Sequence, residues 1–501
     1  MTNSFPWLSL VLALPLLGAV LVPVLAAREP RGARVVALFS TGITLLATVL
    51  LAVLGFHLNG GFQLQDQVPW IPSLGISYHV GVDGLSMAML LLNALLVFLA
   101  TIASWKVSER PVLYYVLLLL LETGVAGVFA ARDLVLFFSA WELELIPMYF
   151  LIAIWGGARR EYAAMKFLLY TLGGSALMLV AFIAIYLQAR QNPDIPFASD
   201  MSSILTFYRN YWHSGPMAWA EVPLFLMLFV PFAIKLPSFP FHTWLPDAHV
   251  EASTPISVLL AGILLKMGAY GLIRFNWGLF PALIQQIAPW LIALGVFNIL
   301  YGAFVASKQQ DMKKVIAYSS VSHMGFVIVG LAALNTAGIN GAIWQMVSHG
   351  LITAMLFLGV GIVYDHAHTR DIGKLGGLAA RMPVAAFLFV VAALASLGLP
   401  GMSGFLAEFL TFVGAFTAFP VAAAIGAIGI VLTAFYMLWL VQRVYFQGPR
   451  PEFAEIGDCT AREAFPMFVL AFLVLAIGVY PALLGNTVNA FVHGFMPSLG
   501  L

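Results

Sequence analysis

Eight ionisable residues stand inside apolar runs of this 501-residue chain: Glu122 in LLLETGVAG, Glu142 and Glu144 in FFSAWELELIPMYF, Lys235 in FVPFAIKLPSFPF, Lys266 in LAGILLKMGAYG, His323 in VSHMGFV, His349 in WQMVSHGLITAM and Glu408 in GMSGFLAEFL. A charge at the centre of a bilayer costs at least about 2.5–3.5 kcal/mol, so ionisable residues at that depth are candidates for an ion or proton path. Snorkelling to the interface or structural ion pairing would explain a lone member of the set. It does not explain all of them, because Lys235, Lys266, His349 and Glu408 lie well inside their apolar runs. The residue types suit protons. Burial disfavours the charged form of a lysine and a facing carboxylate restores it, so Lys235 opposite Glu144 would act as a switch that holds a proton when paired. Histidines titrate near neutral pH and suit intermediate steps, which fits His323 and His349. Glu142, two residues from Glu144, falls on another helix face and reads as a structural partner; it and Glu122 rank below the other six.

Composition sets the medium. Hydrophobic residues make up 62% of the chain and charged residues 9%, against about 25% charged in soluble domains. The polar surface that water requires is missing, and the net charge of +1 gives no reason to expect a nucleic-acid partner. A single cysteine, Cys459, builds neither a disulfide framework nor a thiolate metal site, and no iron–sulfur or haem motif is present. The first residues, MTNSFPWLSL, lack the basic segment of a cleaved signal peptide, so the first apolar run reads as a retained helix.

Apolar runs long enough to cross a hydrocarbon core about 30 Å thick recur throughout. They predict an all-α membrane protein of about fourteen helices, near 5–26, 35–56, 83–104, 112–130, 134–155, 163–187, 222–243, 254–275, 286–306, 314–334, 340–363, 384–417, 421–444 and 465–483. The polar stretch from Gln188 to Glu221, with PDIPFASD and YRNYWHSG, reads as an exposed loop. Seventeen of the 23 lysines and arginines fall in loops after odd-numbered helices and four (Arg132, Arg190, Arg209 and Arg274) after even-numbered ones; Lys235 and Lys266 are the remaining two. The positive-inside rule then makes the first set of loops, Arg28 among them, cytoplasmic and puts both termini on the opposite side.

Two predicted helices are interrupted. The seventh contains Pro231, Pro237 and Pro240 around Lys235; the twelfth contains Gly398, Pro400, Gly401 and Gly404 just before Glu408 and is too long for one straight helix. Proline removes a helical hydrogen bond, and freed backbone at membrane depth is tolerated only where buried in protein or beside a wet cavity. Each break is the fourth helix of a run of five, helices 4–8 and 9–13. Such spacing suggests two inverted five-helix repeats. The chain divides accordingly into 1–111, with the first three helices; 112–280 and 281–445, the two repeats; and 446–501, with helix fourteen.

These residues resemble a known family, the antiporter-like, proton-pumping subunits of respiratory complex I and its photosynthetic relatives. FHTWLPDAHVEASTPISVLLAGILLKMGAYGLIR and DMKKVIAYSSVSHMGFV carry the likeness, which covers nearly the whole chain. WELELIPMYFLIAIWGG and REYAAMKFLLYTLGGS look like the chain-4 branch (NdhD) of the cyanobacterial and chloroplast NDH-1 type. The resemblance implies a proton relay of Glu144, Lys235, Lys266, His323, His349 and Glu408; the last is glutamate in chain 4 and lysine in sister subunits and Mrp-type antiporters. It further implies a translocase subunit of an NAD(P)H- or ferredoxin-plastoquinone oxidoreductase, coupling quinone reduction to proton pumping in a cyanobacterial thylakoid membrane with lumenal termini. No redox centre, cofactor or metal belongs to this chain; plastoquinone and iron–sulfur clusters belong to partner subunits. Expected partners are neighbouring antiporter-like subunits, the hydrophilic arm and lipids. The short chain and the segment ISYHVGVDGLSMAMLLLNALLV depart from the respiratory form, which leaves both a respiratory or cyclic-flow complex and a CO2-uptake complex with a CO2-hydration subunit open. The alternative is an Mrp-type cation/proton antiporter subunit.

Overall fold

Charged and polar residues stop the helices of this chain, and apolar runs carry them between the stops. The computed structural model describes residues 5–26, 30–58, 60–192, 195, 197–214 and 220–500; Arg28, the side chain of Arg209, and Pro193, Asp194 and Pro196 of the expected loop lie outside them. In chain order the helices are α1 Trp7–Leu25, α2 Arg31–Gly55, α3 Gly84–Ala103, α4 Pro111–Ala130, α5 Leu134–Trp155, α6 Arg160–Arg190, α7 Met201–Ser214, α8 Glu221–Lys235, α9 Trp244–Glu251 and α10 Thr254–Trp277. They continue with α11 Pro281–Ser307, α12 Met312–Ala332, α13 Thr336–Ala367, α14 Pro383–Ser396, α15 Ser403–Ala418, α16 Pro420–Phe446, α17 Ala461–Val479 and α18 Ala482–Phe495. Among the described residues, twelve helices are long and apolar enough to cross a membrane. The expected twelfth helix is two shorter pieces, α14 with α15, whereas the expected seventh, 222–243, stops early as α8 and the short α9 follows beyond its expected end.

Helix starts are fixed by side chains that take up orphan N–H groups. Asp83 accepts from Ser86 N, Asp133 from Val135 N and Leu136 N, Asp311 from Lys313 N and Lys314 N, and Asn335 from Gly338 N. Thr460 and Glu463 form a capping box at α17. Asp458, outside the helices, accepts from Val384 N at 2.7 Å and Ala385 N at 3.2 Å and so anchors the start of α14. Partial burial opposes ionisation of Asp458, but these N–H groups and that of Cys459 outweigh it and hold the carboxyl below the usual carboxylate range.

Burial ranks the helices. The most apolar stretches of α10 and α13 are wholly enclosed by protein, whereas those of α1, α16 and α17 are only about a third buried and present leucine, valine and phenylalanine outward. Such an outward face suits hydrocarbon.

Four features depart from the sequence reading. No element was expected over 57–82, yet β1 Gln63–Ile71 and β2 Ile76–Val82 form an antiparallel hairpin with Val68 opposite Tyr78; alternating short runs carry a weaker signal than membrane helices. The 188–221 stretch contains α7, because Asp200 accepts from Ser203 N at 2.9 Å as a cap and Met201, Ile204 and Tyr208 bury one helical face. Helix α18 was also not expected. Finally, Arg132, Arg274 and Lys313, assigned to loops, are buried, because each finds polar partners inside the protein: Ser202 for Arg132, Asp83 for Arg274 and Ala252 O for Lys313.

Both interruptions are satisfied internally. Helix α8 ends at Lys235; beyond it Phe239 N donates to Asn298 Oδ1 at 2.8 Å, and Ile234 O accepts from Trp244 Nε1 at 2.9 Å. Between α14 and α15, Gly398 and Gly401 adopt φ of +75° and +90°, backbone that favours glycine, and Ser396 O lies 3.1 Å from His323 Nε2.

Close helix approach depends on particular glycines. A Cβ on Gly124 of α4 would lie 2.8 Å from the backbone N of Glu144, whereas a Cβ on Gly173 of α6 would meet nothing within 4 Å. Gly124→Ala is therefore expected to destabilise the protein by about 1–3 kcal/mol, seen as a lower thermal midpoint, while Gly173→Ala leaves it unchanged or slightly raised. Equal behaviour of the two variants would contradict this packing.

Candidate functional site

Glu144 and Lys235 form an ion pair with essentially no exposure, 0% and 1%. The break after Lys235 places its ammonium at the C-terminal end of α8, where the helix dipole favours a cation. The rings of Trp141 and Phe167 lie 5.4 and 5.3 Å from Nζ, within cation–π range. Lys235 bonds one carboxylate oxygen, and Glu144 Oε2 has no partner among the described residues. Glu142 is half-buried and does not join the pair. Glu122 is fully buried on α4, and neither of its carboxylate oxygens has a partner among the described residues.

The other four expected residues make a second group. Lys266 Nζ donates to Ala261 O at 2.6 Å and lies 2.7 Å from His349 Nδ1. Wide π-type turns over Leu260–Leu264 and Leu272–Trp277 bracket the lysine; such turns are frequent at functional sites. Helices α10 and α13 approach closely at two glycines, since a Cβ on Gly350 would sit 2.7 Å from Gly262 O. The rings of His349 and His323 are 5.5 Å apart between centroids. His323 Nε2 is in turn 3.8 Å from Glu408 Oε1. His323, Gln345, His349, Ser396 and Glu408 line a cavity of about 10 Å³, on the order of one water molecule.

The pair and the line are neighbours without being bonded. Gly268, two residues beyond Lys266, packs on the break after Lys235, where its Cβ would be 2.5 Å from Leu236 N. No hydrogen bond between Lys235 and Lys266 occurs among the described residues.

Two further buried ionisable residues border this region and were not singled out from sequence. His249 of α9 is fully buried, stacks on Phe357 at 4.6 Å, and has neither ring nitrogen bonded among the described residues. Lys313 donates to Ala252 O at 2.7 Å. The signal for His249 was available: DAHVEAS directly follows the proline interruption. Lys313, one of two adjacent lysines at a helix start, read as surface charge. Helix α9 itself is held from outside, by Lys166 to Asp247 at 2.7 Å and by Arg159 N to Glu251 Oε2 at 2.9 Å.

A fold of apolar helices with two broken ones, enclosing paired and serially placed acids, lysines and histidines, defines a proton- or cation-translocating membrane protein. Residues 131–435, more than half of the chain, match the family described as NADH:quinone oxidoreductase/Mrp antiporter, transmembrane, and the chain belongs to that family. It is 42% identical to NAD(P)H-quinone oxidoreductase chain 4 2 of Thermosynechococcus vestitus over 519 aligned positions, covering 100% of this chain and 95% of the relative. It is likewise 42% identical to chain 4 1 of Synechococcus elongatus, covering 96% and 90%. Among solved structures it is similar to a chain of respiratory complex I from Thermus thermophilus, with TM-score 0.88, 30% identity and coverage of 99% and 100%. A chain of the Mrp complex from Dietzia sp. shares the fold, with TM-score 0.84, 22% identity and coverage of 98% and 99%.

Removing one member of a buried ion pair leaves an uncompensated charge and costs about 3–5 kcal/mol, whereas removing both is often nearly neutral. Thermal unfolding should therefore show Glu144→Ala and Lys235→Met each markedly destabilised and the Glu144→Gln/Lys235→Met double variant recovering most of the loss. Single variants as stable as the native protein would contradict the pairing.

Proposed function

We propose that this chain is a proton-translocating membrane subunit of a complex I-like NAD(P)H/ferredoxin-plastoquinone oxidoreductase. The observation that carries the reading is the buried series from Lys266 through His349 and His323 to Glu408, with a 2.7 Å contact at its head and the Glu144–Lys235 pair beside it. Full-length similarity to proteins named chain 4 supports the same conclusion.

In this reading Lys235 holds its proton while Glu144 is near and yields it when the pair opens. Each 1.36 kcal/mol of changed interaction moves such an equilibrium tenfold, so a small displacement suffices. Lys266 passes a proton to neutral His349, because an imidazole nitrogen lone pair faces the ammonium across their hydrogen bond. His323 then hands it toward Glu408 across the small cavity. Quinone reduction in partner subunits drives the opening; this chain holds neither the quinone nor the iron–sulfur clusters. Neighbouring antiporter-like subunits and the hydrophilic arm are the partners. Each broken pair counts as one crossing, which gives fourteen crossings, ten of them in two inverted five-helix repeats, with both termini on the lumenal side of a thylakoid membrane. The complex is one of respiratory or cyclic electron flow, or one of CO2 uptake with a CO2-hydration subunit.

Co-purification tests the assembly: the chain should emerge with iron–sulfur subunits, and a carbonic-anhydrase-like partner would select the CO2-uptake form. In vesicles carrying the complex, Lys235→Ala or Glu144→Ala should abolish most turnover-driven acidification. Unchanged pumping in these variants, or a free chain that exchanges sodium for protons without redox subunits, would overturn the reading in favour of a structural or Mrp-type role.

A further inference from the structure

Lys266, Tyr270 and Arg274 follow one another at four-residue intervals on α10 and share a face of that helix. Lys266 turns its ammonium back toward Ala261 and sideways to His349. In the opposite direction the Tyr270 hydroxyl and both Nη atoms of Arg274 are hydrogen-bonded, while Arg274 Nε is buried with no partner among the described residues. Tyr270 OH donates to Phe129 O at 3.0 Å and lies 3.0 Å from Ser86 Oγ. Arg274 donates from Nη1 to Asp83 Oδ2 at 2.6 Å and from Nη2 to Asp83 Oδ1 at 2.5 Å, with a third bond to Ser86 Oγ at 3.0 Å. Asp83 Oδ1 also accepts from Ser86 N at 3.0 Å, capping α3.

This group is roofed by aromatic rings, with a cavity of about 30 Å³ on the side of Arg274 that faces Arg132 and Ile204. Arg274 lies against the rings of Phe62, Tyr270 and Phe491, at 4.8, 4.8 and 5.2 Å, and only 8% of its side chain is exposed. Helix α18 closes tightly over Asp83: a Cβ on the adjacent Gly84 would sit 2.2 Å from Thr487 O.

We propose that Asp83, Ser86, Tyr270 and Arg274 form a proton-tight plug on α10 that seals the Lys266 site from one face of the membrane, leaving His349 as its outlet. This rests on the reading of Lys266 as a proton carrier. A guanidinium stays charged at all relevant pH and has no acceptor lone pair, so it cannot relay a proton. Its fixed, buried positive charge repels an approaching proton, as arginines and dipoles do in proton-excluding pores. Both Asp83 oxygens accept charge-assisted bonds from the guanidinium fork, which stabilises the carboxylate and disfavours its taking up a proton. A buried pair of this kind adds little stability over apolar packing, so sealing accounts for it better than stability does.

The test is passive proton influx into proteoliposomes of the assembled complex, without electron donor or quinone, under an imposed potassium diffusion potential. Asp83→Asn/Arg274→Gln removes the fixed charge without stranding its partner. It should speed proton influx about tenfold, which corresponds to a barrier lower by about 1.36 kcal/mol, and adding Lys266→Ala should return influx to the native rate. Arg274→Lys, which keeps the ion pair but replaces the guanidinium with a group able to release its proton, should also leak faster than native and serves if the double variant does not assemble. Native influx in an assembled variant would show a mere latch for α18 and overturn the proposal, as would a leak that survives Lys266→Ala. Turnover-driven acidification by the native complex is read separately: its absence would count against the pump reading, while the leak comparison stands independently.

Discussion

Two opposite charges buried side by side among apolar helices constrain everything around them. Glu144 and Lys235 are tolerable at that depth only as partners, since either alone would be an uncompensated buried ion. To bring them together, α8 must stop at Lys235. The backbone freed by that stop must find donors and acceptors inside the protein, which Asn298 and Trp244 provide. The neighbours must then come close, which requires Gly124 against α5 and Gly268 against the break. Sequence, helix ending, packing and electrostatics are here one problem.

The two interruptions solve it with different chemistry. Prolines end the first one, and the chain re-enters helix at Trp244 with His249 buried in the new segment. Glycines at positive φ make the second. There the absent side chains admit Glu408 itself: a Cβ on Gly398 would lie 2.6 Å from Glu408 Oε2. His323 faces both the freed carbonyl of Ser396 and the Glu408 carboxyl, so one imidazole serves the broken backbone and the proposed relay.

Much of this was legible in the residues. Long apolar runs and their caps place the helices, and prolines and glycines beside charged residues mark both breaks. The facing of Glu144 and Lys235, proposed from residue types, is a direct contact. Weaker signals failed for physical reasons. Gln63–Val82 alternates too briefly to stand out as a hairpin beside membrane helices, and α7 is half polar, announced only by its Asp200 cap and one apolar face. Arg274 reads as loop charge because a helix end and a buried ion pair look alike until the partner is known. Asp83, 191 positions away from Arg274, is not recoverable from local pattern.

In the proposed relay, pumped protons run along the buried line that begins at Lys266. His349, 2.7 Å from Lys266 and beside His323, is its narrowest point. The decisive quantity is the number of protons moved per quinone reduced in vesicles holding the complex with His349→Gln, which keeps polarity and nearly the same size. A relay through His349 requires a clear fall in that ratio while quinone reduction in uncoupled vesicles continues. A native ratio would contradict it.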